Sequence, residues 1–337
     1  MSNAIPTIVL GGTGYVAGEL LRLIAGHPNL KLAGILSDSQ PGESVAKAFG
    51  HLSSAYPDTK FSSIEEIEQL VATLPRSAIF SAAPHGASAA LIDRLLAKAE
   101  AAGTKPSVVD ISADYRFATN AAYAAVYKHD HGAQNRLSQF TCAVPEHLAT
   151  APTPHIGHPG CFATAILLAS VPLLKLGIAT PTLFVSGVTG STGAGRKPIE
   201  GTHHPMRHSD LYSYNALAHR HAPEVAAVAK AASGVDAHFA FVPHSGPFAR
   251  GIHVTVQAVL AKPASTAELL EQFKQFYAHS PFVSVSATAP RVKEIAGSNY
   301  ARLSLASDGK TVAVMSVLDN LNKGAAGGAV QWMNRLQ

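Results

Sequence analysis

The chain has little charge, almost no sulfur and a single tryptophan. Only 14% of its 337 residues are Asp, Glu, Lys or Arg, against about a quarter in an average soluble protein. A surface so poor in charge is expected to be covered in part by another subunit. The 26 basic and 22 acidic residues give a net charge of +4. They are scattered, with no dense basic run to serve as a nucleic-acid footprint. Two cysteines exclude a disulfide framework. No apolar run reaches the roughly 20 residues needed to span a bilayer; residues 165–174 are too short and hold Pro172. No secretory signal precedes the first expected strand. The expected setting is a reducing cytoplasm, where a cysteine stays a thiol.

What the chain does have is glycine placed between a strand and a helix. Ile5 to Leu10 reads as a buried strand, Gly11-Gly12-Thr13-Gly14-Tyr15-Val16-Ala17 follows, and an apolar-periodic helix runs to about Gly26. Lys31 to Leu36 reads as the next strand. Gly12, Gly14 and Ala17 fit G-x-G-x-x-G/A, and Gly11 with Gly14 fits a G-x-x-G variant. Glycine lets the backbone approach a pyrophosphate, and a helix N-terminus favours its charge. The second strand ends at Ser37-Asp38-Ser39-Gln40. A carboxylate there suits NAD and a serine suits a 2′-phosphate, so these residues leave NAD and NADP both open.

Helices at Ile64–Leu74 and Ala87–Ala102 alternate with strands at Ala78–Ala83 and Ser107–Ile111. That alternation predicts a Rossmann-type doubly wound parallel sheet, with ligands beyond the carboxyl ends of its strands. Pro84-His85-Gly86 and Ser112-Ala113-Asp114-Tyr115-Arg116 fall at that edge. Arg116 could grip a phosphate or carboxylate there, or pair with Asp110 or Asp114. Cys142 sits mid-strand among apolar neighbours and reads as core. Ala151-Pro152-Thr153-Pro154 marks a hinge.

Cys161 follows His158-Pro159-Gly160, a turn, and precedes an apolar run that reads as a helix. A thiol at a helix N-terminus gains thiolate character from the free N–H groups and the dipole. The same N–H groups could hold an oxyanion. Beyond the strand Thr182–Val188 lies a loop of glycines, hydroxyls and cations, Gly190 to Lys197, suited to phosphate or the nicotinamide edge. His203, His204, His208, His219 and His221 cluster downstream as acid–base candidates. An extended chain would point His219 and His221 the same way. No carboxylate or cysteine joins them at metal spacing, and no metal is expected. Strands from His238 to Leu318, crossed by the helix Thr266–Ala278, predict a largely antiparallel second sheet.

Taken together these motifs resemble the N-acetyl-γ-glutamyl-phosphate reductase family, in the aspartate-semialdehyde dehydrogenase superfamily. The resemblance rests on Gly11–Val16, Pro84–Gly86, Asp110–Arg116, Pro159–Thr164, Gly193–Arg196, His219–Glu224 and Asp319–Gly327, in that order along the chain. It implies a dinucleotide-binding domain at residues 1–157, completed by a C-terminal helix, 320–337. It implies a catalytic and oligomerisation domain at 158–319, α+β in class. It further implies NADP(H), a small acyl-phosphate substrate, a homodimer or homotetramer, and a place in arginine biosynthesis. Cys161 would be the nucleophile, and His219, with His221 kept open, the acid–base. Substrate and phosphate would meet Arg116, Ser112, His158, Arg196 and Arg220. The cofactor would meet Gly11, Gly12, Thr13, Gly14, Tyr15 and Val16 at one end. Ser37, Pro84, Ser191, Gly193 and Asn320 would line its remaining length. His158 replaces the family's usual asparagine. The acyl group, acetyl or succinyl, stays open, as does another semialdehyde dehydrogenase activity.

Overall fold

The computed structural model describes residues 4–337. They divide into two compact units. The first takes the chain through Cys142, then Thr150–His158 and Ala329–Gln337; the second takes Ala143–Ala149 and Pro159–Gly328.

The first unit is built on a six-stranded sheet. Its strands are β1 (Ile5–Leu10), β2 (Leu30–Ile35), β3 (Arg76–Ser81), β4 (Lys105–Asp110), β5 (Phe140–Cys142) and β6 (His155–Gly157). Their order is β2-β1-β3-β4-β6-β5, and every pair is parallel. Parallel strands are covered on both faces, so they read as unbroken apolar runs. In β1 every residue but Pro6 is buried. The helix Ile64–Thr73 starts in a capping box between Ser63 and Glu66. The helix Ser88–Ala102 stops at Gly103, whose left-handed backbone (φ 74°) glycine adopts without strain. Cys142 is half-buried rather than core: it ends a three-residue strand at the sheet's edge.

The second unit holds a seven-stranded sheet. Its strands are β7 (Thr182–Thr189), β8 (Tyr212–Ser213), β9 (His238–Ser245), β10 (Ile252–Val259), β11 (Val283–Val285), β12 (Ala301–Ser307) and β13 (Thr311–Leu318). The order is β11-β12-β13-β10-β7-β9-β8. Four pairs are antiparallel, while β7 with β9 and β11 with β12 are parallel. The helix Cys161–Lys175 packs on β10 and β13 and is buried from Phe162 through Leu174. A helix apolar on all sides belongs in a core. The helix His221–Ser233 packs alongside it. Among the described residues no helix is long and apolar enough to cross a membrane.

Candidate active site

In the first unit the candidate residues gather beyond the carboxyl ends of the strands. Gly11 has φ +76°, and a Cβ on it would stand 2.5 Å from the Ala82 carbonyl oxygen. A Cβ on Gly12 would stand 2.7 Å from the Leu36 carbonyl oxygen. Strand packing therefore explains both glycines. It does not explain Gly14, whose φ of −78° suits any residue. A Cβ there would meet nothing nearer than 3.9 Å. Gly14 is the N-cap of the helix Tyr15–Ala25, which has no side-chain cap and no acidic residue in its first turn. Uncapped N–H groups and bare space above them fit a pyrophosphate. Thr13, Tyr15 and Val16 border the same turn, with Tyr15 39% exposed.

Ser37 is buried, and its hydroxyl accepts the Gln40 N–H at 3.2 Å. Asp38 beside it is exposed. Pro84 is exposed on the loop after β3. That loop is tied to the turn after β4 through Asp114. The Asp114 carboxylate meets His85 Nδ1 at 2.8 Å and accepts the N–H groups of Gly86 and Ala89, each at 2.9 Å. Ser112 donates its hydroxyl to Asp110 at 2.8 Å and accepts the Asp114 N–H at 3.1 Å, so it serves the turn's own structure. Burial, partly offset by the Ser88 hydroxyl, pushes the Asp110 carboxyl up to about 6. Arg116 is buried and donates from Nη2 to the Ile111 carbonyl at 3.2 Å. His158 is fully buried, and its backbone N–H donates to the Asp110 carbonyl at 2.7 Å.

The second unit brings the thiol and the imidazoles together. Cys161 is the first residue of its helix, and the N-cap Gly160 again offers no side-chain cap. A cavity of about 600 Å³ is lined by Cys161, His219, Arg220, His221, Ser191 and Gly193, with Tyr214 and Ser245. Arg196 is exposed and not among its lining residues. Asn320 does not line it either. Its amide oxygen accepts the Gly251 N–H at 2.7 Å and its amide nitrogen donates to Thr192 at 3.0 Å, which pins the 190s loop. Among the described residues no group of three or more His, Cys, Asp or Glu could hold a metal ion.

The two histidines reach the cavity through a turn rather than an extended chain. Arg220 is helical (φ −56°, ψ −19°), and the Ala222 N–H bonds to the His219 carbonyl at 2.9 Å. The rings end 4.7 Å apart between centroids. His219 Nδ1 accepts the His221 N–H at 3.2 Å, which leaves the ring proton on Nε2. Burial, helped by the Arg220 charge, lowers His219 to about 4, so the ring is neutral at pH 7. Burial, with a contribution from Cys161, pushes Tyr214 up to about 12.

Glu224 is a residue the sequence reading passed over. It is fully buried and accepts the Gly160 N–H at 2.6 Å, and its other oxygen lies 4.0 Å from His221 Nε2. One carboxylate thus joins the start of the Cys161 helix to the histidine turn. The spacing His221 to Glu224, three residues on one helix face, carried that signal.

Two family models match the chain: the semialdehyde dehydrogenase NAD binding domain over residues 7–137, and the semialdehyde dehydrogenase dimerisation domain over residues 161–320. A protein from Ectopseudomonas mendocina named N-acetyl-gamma-glutamyl-phosphate reductase is 37% identical over 335 residues, covering 97% of this chain and 94% of its own. One of the same name from Brevibacillus brevis is 34% identical over 333 residues, covering 97% and 93%. Among solved structures, the fold matches aspartate semialdehyde dehydrogenase II from Vibrio cholerae with a TM-score of 0.71 at 15% identity, over 99% of this chain and 98% of that one. A probable aspartate-semialdehyde dehydrogenase from Pseudomonas aeruginosa matches at 0.68 and 18% identity, with the same coverage.

Proposed function

This chain belongs to the N-acetyl-gamma-glutamyl-phosphate reductase family of semialdehyde dehydrogenases, and on that premise we propose that it reduces N-acetyl-γ-glutamyl phosphate to the semialdehyde, with release of phosphate, in arginine biosynthesis. The cofactor is NADP(H); we propose Gly11–Val16, Ser37 and Pro84 as its contacts in the first unit and Ser191 and Gly193 as its contacts in the second, with Asn320 acting by holding the 190s loop. The observation that carries the reading is the cavity that puts Cys161, at an uncapped helix start, beside His219 and His221.

In the reaction the Cys161 thiolate attacks the γ-carbonyl carbon. The C–S bond forms, the carbonyl oxygen takes the negative charge, and N–H groups at the helix start hold it. The bond from the acyl carbon to the bridging oxygen then breaks, and phosphate leaves toward Arg220 at the cavity. A thioester remains on Cys161. A nicotinamide cofactor, once bound, would supply the hydride that reduces it. The resulting alkoxide on the cysteine-bound carbon expels the thiolate as the aldehyde forms. Hydride addition, which puts negative charge on the oxygen, calls for a hydrogen-bond donor there rather than a strong acid. A neutral His219 with its proton on Nε2 is such a donor. Burial argues for this neutral ring over an imidazolium. Glu224 keeps His221 available as the second acid–base candidate.

The working form is a homodimer or homotetramer in the cytoplasm. A second copy would cover the outer face of the second sheet, where Phe184 is 56% and Val259 55% exposed. Phe184 pairs with Gln257, two residues from Val259, so both project from that face. The deciding assay runs the reaction in reverse, with N-acetyl-glutamate semialdehyde, its N-succinyl analogue or aspartate semialdehyde, plus phosphate and NADP⁺ or NAD⁺. Phosphate-dependent reduction of NADP⁺ by the N-acetyl compound is expected. Preference for either other aldehyde would move the chain to another substrate of the same chemistry.

A further inference from the structure

The chemistry above makes no use of a charge pair buried in the second unit. Lys323 Nζ lies 2.6 Å from Glu146 Oε1, with the side chains 0% and 1% exposed. Replacing a buried ion pair by apolar side chains of the same volume is often neutral for stability, and one attested use of such a pair is to specify an arrangement. The arrangement at stake is local. Lys323 belongs to a π-helical turn, Asn322–Ala326, every residue of which is buried. The wide i→i+5 bonds are made by Gly324 to Asp319 and by Ala326 to Leu321, both at 3.0 Å. Such turns are uncommon and concentrate at functional sites. This one is pressed against the thiol: a Cβ on Gly324 would stand 2.8 Å from Cys161 Cβ and 3.0 Å from its Cα.

Glu146 comes from the short stretch Ala143–Ala149, which belongs to this unit although the chain on both sides of it belongs to the other. The next residue reaches the same helix by another route. His147 Nε2 meets the Tyr277 hydroxyl at 3.0 Å, and that hydroxyl donates to the Leu168 carbonyl at 2.7 Å. The stretch therefore touches the Cys161 helix twice, through the π turn at its first residue and through Tyr277 at its middle.

We propose that Lys323 and Glu146 are positioning residues for Cys161. Their ion pair fixes how far Gly324 stands behind the cysteine backbone, and so the direction in which the sulfur enters the cavity. The proposal rests on the reading of Cys161 as the nucleophile. Its test is the double variant Lys323→Met/Glu146→Leu, which removes both charges and keeps most of the volume. The first readout is the rate of Cys161 alkylation by iodoacetamide between pH 6 and 9, followed by mass spectrometry with Cys142 as internal reference. The second is kcat and KM in the reductase assay. The double variant is expected to keep its thermal midpoint within a few degrees. Cys161 should react at least tenfold more slowly while Cys142 is unchanged, and kcat should fall by a similar factor with KM for NADPH unmoved. Wild-type alkylation in the folded double variant, with or without loss of kcat, would overturn the proposal. If the double variant does not fold, Gly324→Ala carries the same test with the ion pair intact, and wild-type thiol reactivity there would overturn it equally. Alkylation uses neither substrate nor cofactor. Turnover retained by Cys161→Ser would therefore remove the mechanistic reading and leave the alkylation result standing.

Discussion

The Tyr277 hydroxyl donates a 2.7 Å hydrogen bond to the Leu168 carbonyl, in the middle of the Cys161 helix. In a regular helix that carbonyl would accept the N–H of the residue four positions on. Here that residue is Pro172, which has none. The tyrosine supplies the donor the proline lacks, and the helix continues through it to Lys175. Tyr277 is itself buried, so no water can take its place.

Tyr277→Phe keeps the ring and strands the carbonyl. A buried acceptor left unmet costs about 1–3 kcal/mol. The loss should shrink in the background Pro172→Ala, where the alanine N–H reaches Leu168 instead, and what remains is the cost of parting His147 from the hydroxyl. Urea unfolding of the four proteins gives the coupling directly. Equal losses in both backgrounds would show that the hydroxyl stabilises through His147 and not through Leu168.

The glycines of the first turn separate fold from ligand. Gly14→Ser should stabilise the apo-protein by about a few tenths of a kcal/mol, because serine is a slightly better N-cap than glycine at extended backbone. It should also weaken NADPH binding by tenfold or more, since its side chain fills the space left for the pyrophosphate. Gly11→Ala, forced against the Ala82 backbone, should destabilise the fold itself. Calorimetric melting with and without NADPH distinguishes the two. A Gly14→Ser protein that binds normally would move the cofactor elsewhere.

Cys161→Ser should lose on the order of a thousandfold or more in kcat while binding NADPH as the parent does. His219→Asn should lower kcat by roughly 10²–10⁴ with little change in KM. If His221→Asn carries that loss instead, the His221–Glu224 pair is the acid–base, and the 4.0 Å approach seen here tightens in the working complex.

Much of this was open to reading from the residues. Ile5–Leu10 and Thr311–Leu318 fall where apolar runs and alternation put them, because burial on two faces or one leaves a period in the chain. The parallel pairing of β7 with β9 was hidden, since alternation reports which face is buried and not which strand lies alongside. At the site, the thiol at a helix start was legible from Pro159-Gly160 and the apolar run. The roles of Asn320 and Ser112 in holding neighbouring loops were not, because a polar side chain in a motif looks the same whether it serves ligand or loop. Glu146 gave no local signal at all. Its partner is far along the chain, and only the folded structure brings the two together.

Stability should fall as the solution is acidified from pH 6.5 toward 4. Burial lowers His147, His155 and His219 from 6.5 to about 4 each. Above pH 6.5 these rings are neutral folded or unfolded, and their contribution is complete. Between 6.5 and 4 the unfolded chain takes up protons that the native chain refuses, so unfolding is favoured. Asp110 acts in the opposite sense: its carboxyl, raised from 3.8 to about 6, holds a proton in the native state that the unfolded state releases. Three histidines against one carboxylate leave unfolding to absorb about two protons near pH 5, a slope on the order of 2 kcal/mol per pH unit. The urea midpoint should be level above pH 7 and drop steadily from 6 to 4.5. Asp110→Asn removes the opposing group, so its profile should descend more steeply than that of the parent. A descent no steeper than the parent's in that variant would mean that Asp110 is ionised in the folded protein and that its bonds to Ser88 and Ser112 outweigh its burial.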